Sequence, residues 1–325
     1  MRNRHSSIAW FGLAVLALSW SPACLSQAYP GRPLKLVVPF EAGGGTDILA
    51  RQIASALGER LRQSVIVENR GGAGAILGTE AVAKAEPDGY TLLLGQIGPL
   101  AINPSLYAKL PYDPIRDFEP VILLGAQPLV LVVNPEVRAG SVSELVALAK
   151  AQPNRLNFSS AGEGSMGHLA GELFKLLTGA PIVHIPYKSG APAVHDVMGG
   201  HVQMTFNVVP GVSAGIKSGK LRPIAASGPV DTLPGVPTMS AAGVPEFDAV
   251  SWFGILLPAK TPASIAERLN RELNAVIDSP GIRELMSRQD VRMLGGSPAA
   301  FTAYLKKETD RWARVIRNAG VQAAQ

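Results

Sequence analysis

The sequence predicts an α/β chain folded as two lobes with a ligand cleft between them. Three patterns carry that expectation. Short apolar runs alternate with stretches of helical periodicity along most of the 325 residues, as parallel α/β layers require. Two such alternating series meet near 126–135. An apolar run near 250 then follows the second series, which implies a return connection within 226–255. The lobes expected from this are 29–126 together with 227–325, and 127–226.

Leu34 to Pro39 reads as a buried strand, and a helix over 46–62 follows with Leu49, Ile53, Leu57 and Leu61 at a spacing of four on one face. Val65 to Glu68 is the next strand, 74–85 a helix and Thr91 to Gly95 a third strand. The run 120–133 reads as two strands broken at Gln127-Pro128. Ser141 with Glu144 three positions later resembles a capping box and starts a helix. The second series is strand 156–159, helix 165–178, strand 182–186, helix 190–199, strand 202–206, helix 211–218 and strand 222–226. After the apolar run Val250 to Leu257 the chain is helical over 262–277 and 298–318, with Gly320 as C-cap.

Composition narrows the classes. With 47% hydrophobic and 17% charged residues the chain can bury a large core, and disorder is excluded. Arg2 and Arg4 precede the apolar run Ile8 to Trp20, and Ser26-Gln27-Ala28 offers small residues for cleavage after Ala28, so residues 1–28 read as a signal peptide. Lipidation at Cys24 is the competing reading, but Ser21-Pro22-Ala23 fits a lipobox poorly. Cys24 is the only cysteine, so the mature chain has no thiol for a disulfide or a metal. An export signal without disulfides points to a bacterial periplasm. Cleavage leaves 28 Lys and Arg against 25 Asp and Glu, scattered rather than clustered, which argues against nucleic acid as partner.

The sharpest local feature is Phe40-Glu41-Ala42-Gly43-Gly44-Gly45-Thr46-Asp47, between the first strand and the first helix. Glycines let backbone approach a ligand, and a helix start offers free N–H groups and a partial positive charge, which together suit an anion. The alternative is a flexible turn in which Thr46 or Asp47 caps the helix. No Gly-Lys-Ser/Thr and no G-x-G-x-x-G spacing follows, so a nucleotide loop is excluded and no cofactor is expected. A second strand-to-helix junction holds Ser160, Ala161, Gly162, Ser165 and His168. Ser165 has Gly167 two positions after it but Glu163 two before, so it lacks one glycine of a nucleophile elbow. A triad of Ser165, His168 and Asp196 can be written on paper, with nothing in the sequence to bring it together. The histidines lack metal-ligand spacing, and no metal is expected. His184 reads as a core or interface residue, His195 and His201 as surface. Gln96, Ile97 and Gly98, then Tyr187 with Lys188, then Asn207 follow strands at the end where ligands bind.

At these residues the chain becomes recognisable. VVPFEAGGGTDILAR (37–51), VENRGGAGAILG (67–78), PDGYTLLLG (87–95), NFSSAGEGSMGHLAGELF (157–174), PYKSGAPAVHDVMGGHVQ (186–203) and the stretch 219–243 resemble the extracytoplasmic solute-binding receptors of tripartite tricarboxylate transporters, the Bug-type proteins. The resemblance implies a periplasmic binding protein fold, two α/β lobes closing on a carboxylate held by backbone amides and bridging waters. It also implies delivery to two membrane subunits, by a protein expected to be monomeric and not an enzyme. By position, Phe40 to Asp47 and Ser160 to Ser165 would grip the ligand from opposite lobes, with Gln96, Ile97 and Gly98 along the wall. One departure stands out: such receptors often have Asp-Asn where this chain has Asn207-Val208. A sensor presenting ligand to a signalling partner would need the same clamp; a secreted hydrolase is the weaker alternative.

Overall fold

The computed structural model describes residues 29–43, 45–187 and 189–321. The expectations for cleavage after Ala28, for Cys24, and for Gly44 and Lys188 lie outside the described residues.

The first series runs β1 (Leu34–Val38), α1 (Gly45–Leu61), β2 (Val65–Asn69), α2 (Ile76–Ala83), β3 (Thr91–Gln96), a π-turn Gly98–Ile102, α3 (Asn103–Leu106) and β4 (Phe118–Val133). The second runs α4 (Val142–Ala151), β5 (Leu156–Ser160), α5 (Met166–Thr178), β6 (Ile182–Pro186), α6 (Gly190–Met198), β7 (Met204–Val208), α7 (Val209–Lys217) and β8 (Arg222–Ala226). The chain returns in β9 (Val250–Pro258) and closes with α8 (Ala263–Ile277), α9 (Pro280–Ser287), β10 (Arg292–Met293) and α10 (Pro298–Ala319).

One sheet path, β2-β1-β3-β9-β4-β7-β5-β6, carries both lobes, with β8 and β10 also paired to β4. The 16-residue β4 belongs to both halves: Phe118 to Pro128 pair with β9, and Leu129 to Val133 pair with β7. The expected break at Gln127-Pro128 is therefore not a break but the handover. Pro128 has no N–H to donate, and it stands where the ladder partner changes. Immediately after it, the Leu129 N–H donates to Ser227 Oγ at 2.9 Å.

Burial follows strand alternation except at the register shift after Pro120, where Val121 and Ile122 share a side. Leu123, Leu129, Leu131 and Val133 of β4 face a central core that also holds Phe158, Phe206, Trp252, Phe301 and Trp312. Val121, Ile122 and Leu124 face the outer layer of the first sheet with the α1 stripe Leu49, Ile53, Leu57 and Leu61. Val130 and Val132 face the outer layer of the second sheet. Strands covered on both faces read as continuous apolar runs, which is how β4 looks in the sequence.

Two further expectations shift. Strand 202–206 lies at 204–208, so Asn207 is inside β7 rather than after it, and α7 starts at Val209, two residues before the expected 211. Pro210 causes no conflict there, since the first helical turn has no N–H partner to lose. Gly320 caps α10 as read, at φ 63°, and Ser141 Oγ accepts the Glu144 N–H, but the Glu144 carboxylate reaches one residue further back than a capping box and accepts the Gly140 N–H.

Strand direction places the functional edge. β1, β2 and β3 are parallel, β9 is antiparallel to β3, and β4 is antiparallel to β9. Thus β4 leaves the first sheet at the carboxyl edge of β1 to β3. In the second sheet it is antiparallel to β7, with Leu129 opposite Val208, while β5, β6 and β7 are mutually parallel. It therefore enters at their carboxyl edge. Both carboxyl edges flank the same crossing, which is where open α/β sheets bind ligands.

Candidate functional site

The loop after β1 is held by a brace. Asp47, third residue of α1, is buried, and its Oδ2 accepts the Gly43 N–H at 2.9 Å and Arg51 Nε at 3.0 Å. Arg51 Nη2 lies 3.0 Å from the other Asp47 oxygen and donates to Asn69 Oδ1 at 3.2 Å. Asn69 Nδ2 donates to Phe40 O at 3.1 Å. The hydrogen bond from Arg51, then that from Gly43, hold the Asp47 carboxyl down at about 2. Asp47 thus reaches back across the helix start in the manner of a capping box. Gly43 sits at φ +87° with open space where a side chain would begin. Gln96 Nε2 donates to Thr46 Oγ1 at 2.6 Å, tying the end of β3 to the helix start. Glu41 and Ala42 are exposed, and the Glu41 side chain lies over Gly71 of the neighbouring loop. Phe40 packs against the outer core, Ile97 is buried, and Gly98 has open space beside it.

The loop after β5 is held differently. Ser160 is buried; its Oγ accepts the Gly162 N–H at 3.1 Å and lies 2.7 Å from His184 Nε2. The Ser165 N–H donates to Gly162 O, and Ser165 Oγ caps α5 by accepting the His168 N–H at 3.3 Å. The ring of His168 is expected at the ligand; it is instead turned under the loop, where Nδ1 accepts the Gly164 N–H at 3.0 Å. Amphipathic packing explains the inward turn: α5 buries His168, Leu169, Gly171 and Glu172 against β5 and β7. Ala161 is exposed, and its N–H has no partner among the described residues. The Tyr187 hydroxyl donates to Asp196 at 2.5 Å, and Asn207 Oδ1 accepts the Val208 N–H at 2.8 Å. Ser165, His168 and Asp196 therefore form no triad.

Three residues of the braces escape sequence reasoning. Arg51 had a signal, its i,i+4 spacing from Asp47. Asn69 and His184 had none, because their partners lie in other elements.

Burial lowers the basicity of both rings, His168 to about 3 and His184 to about 4, with Lys175 adding to the effect on each and His184 to that on His168. The other charged group facing the pair is Glu172, whose Oε1 is 3.9 Å from His168 Nε2 and whose Oε2 is 2.8 Å from Lys175 Nζ. In the unfolded chain a histidine binds its proton near pH 6.5, well before the folded rings do. The folded state therefore gains from their neutrality above about pH 6.5, and that gain is lost progressively as the pH falls through about 4 for His184 and about 3 for His168. Urea-unfolding midpoints should fall between pH 6.5 and 4.5, and His184→Gln should flatten that slope.

Residues 49–321 match the family described as tripartite tricarboxylate transporter family receptor. The chain is 39% identical over 323 residues to Protein BugT of Bordetella pertussis, covering 98% of this chain and 99% of that one. Among solved structures, R. palustris Rpa4515 with adipate is 36% identical with a TM-score of 0.79, covering 90% of this chain and 99% of that chain. MatC from Rhodopseudomonas palustris with bound malate is 29% identical with a TM-score of 0.75, covering 89% and 100%. Shared architecture and nearly full-length similarity lead to one assignment: the chain belongs to the Bug-type receptors of the tripartite tricarboxylate transporter family.

Proposed function

We propose that this protein is a periplasmic solute-binding protein that captures a small carboxylate and hands it to the membrane subunits of a tripartite transporter. It acts as a monomer and does not transform its ligand. The lobes are 29–126 with 227–325, and 127–226, and the ligand lies between the loops Phe40 to Asp47 and Ser160 to Ser165. The observation that carries this reading is the pairing of two strand-to-helix loops on facing carboxyl edges. Each retains an exposed backbone segment, Ala42-Gly43 in one and Ala161 in the other. Each also precedes a helix start, where an anion is stabilised by about 0.3–1 kcal/mol, or up to ~2 when partly buried. Adipate and malate in the related structures support a carboxylate as the captured class.

A thermal-shift screen of mono- and dicarboxylates on the mature protein tests the reading. A true ligand at 100 times its Kd should add about 2.7 kcal/mol, on the order of 5 °C or more. The bound compound should be recovered unchanged. Stabilisation by no carboxylate, or turnover of the bound one, would count against it.

A further inference from the structure

We propose that His168 and His184 are positioning residues, a stacked pair of neutral imidazoles that ties down the inward polar groups of the 160–165 loop and so fixes its outward backbone for the ligand. This rests on reading that loop as half of the carboxylate site.

The two rings come from different elements, His168 from the first turn of α5 and His184 from the middle of β6. They lie parallel, with centroids 3.7 Å apart and planes 7° from each other. The fully buried Phe158 ring backs both, 5.0 Å from His184 and 6.4 Å from His168. From this platform each imidazole holds one loop group: His168 Nδ1 accepts the Gly164 N–H, and His184 Nε2 shares a hydrogen bond with Ser160 Oγ, whose hydroxyl also lies 3.0 Å from Gly162 O. Ser160 Oγ in turn holds the Gly162 N–H.

The loop needs such restraint. Gly162 and Gly164 sit at φ 120° and 72°, and glycine reaches many other conformations with little penalty. The Gly162 and Gly164 N–H groups are bonded inward and the Ser165 N–H closes onto Gly162 O, which leaves the Ala161 and Glu163 N–H groups without a partner among the described residues. An imidazole that accepts the Gly164 N–H at Nδ1 must carry its own proton on Nε2. Protonating His168 would set an N–H against that N–H, and protonating both rings would put two cations face to face. Glu172, already paired with Lys175, does not offset that charge.

The test separates shape from hydrogen bonding. His168→Asn keeps an acceptor near the place of Nδ1, whereas His168→Leu keeps bulk without one. Amide exchange over 160–168 in the ligand-free protein should speed up about tenfold in His168→Leu and return to within about threefold of wild type in His168→Asn. Calorimetry with adipate and malate as probes should follow the same order. Equal exchange in the Leu and Asn variants, or wild-type exchange in His168→Leu, would overturn the inference. The ring tautomer in unsubstituted protein decides the matter even if His168→Leu does not fold: nitrogen NMR should find the His168 proton on Nε2, and finding it on Nδ1 would refute the proposal. If neither probe binds wild type, the function proposed above is in doubt, while exchange and tautomer still decide this one.

Discussion

Glu308→Ala is expected to lower the unfolding free energy by about 3–5 kcal/mol, the range found when one member of a buried charged group is removed. Glu308 is 1% exposed on α10, and a single oxygen, Oε2, accepts from Trp252 Nε1 at 3.0 Å, Trp312 Nε1 at 3.2 Å and Arg311 Nη2 at 2.9 Å. Alanine would orphan two buried indole N–H groups and leave Arg311 with only Asp248, 2.7 Å away, as its charged partner. Trp252 lies opposite Ala126 at the crossing of β4, and Asp248 lies just before β9. The cluster therefore fastens α10 where both connections between the sheets pass. The other carboxylate oxygen, Oε1, is buried without a hydrogen-bond partner, and burial pushes the Glu308 pKa up. Above the ordinary carboxylate range the unfolded chain has already lost its proton, so ionising the folded group costs stability. Glu308→Gln, which keeps an acceptor for the indoles and sheds the charge, should lose only about 1–2 kcal/mol. Urea unfolding of the three proteins checks the order. A loss below about 1 kcal/mol in Glu308→Ala would mean that relaxation or water satisfies the indoles.

Much of the architecture was legible because it is written in local periodicity. Leu49, Ile53, Leu57 and Leu61 mark one face of α1, and all four lie in the outer core as that spacing demands. Caps are legible for the same reason: Ser141 and Gly320 act on neighbours within a turn. The misreadings come from tertiary context. Pro128 resembles a strand breaker until β4 is seen to change partners there. Residues 98–106, with Pro99 and Pro104 inside, show no clean helical period, yet they form the π-turn and α3 because α10 packs over them. Short α9, Pro280–Ser287, has no counterpart among the elements expected between 277 and 298. The candidate site divides the same way. Its loops announce themselves through glycine after an apolar run, but what holds them does not. His168 and His184 stand 16 positions apart, and only the pairing of β5 with β6 brings their rings into register with Phe158. Glu308 had a readable signal, a lone carboxylate within the stripe Phe301, Leu305, Trp312, Val315.

Asp47→Ala is expected to weaken capture of the stabilising carboxylate by about ten- to a hundredfold while leaving the fold intact. The carboxylate is the hub of the first loop, since it restrains Gly43 directly and orients Arg51 toward Asn69, which in turn holds Phe40 O. Removing it frees the loop at both ends. The ligand must then order Ala42 and Gly43 as it binds, and apparent affinity falls by the fraction of time that the loop is competent. Asp47→Asn should sit between, because its amide oxygen can still accept one N–H but no longer attracts Arg51. Acidity gives an independent check. With its pKa depressed to about 2, Asp47 contributes stability above the ordinary carboxylate range near 3.8 and loses it only as the pH falls through about 2. The brace therefore stays ionised at pH 4, where most of the histidine contribution has already gone. Calorimetry of the two variants at pH 7 tests the first part. Amide exchange at Gly43 tests the second: it should be protected in wild type at pH 4 and unprotected in Asp47→Ala at the same pH. Unchanged affinity with fast exchange at Gly43 would show that the loop is restrained by Asp47 yet takes no part in holding the ligand.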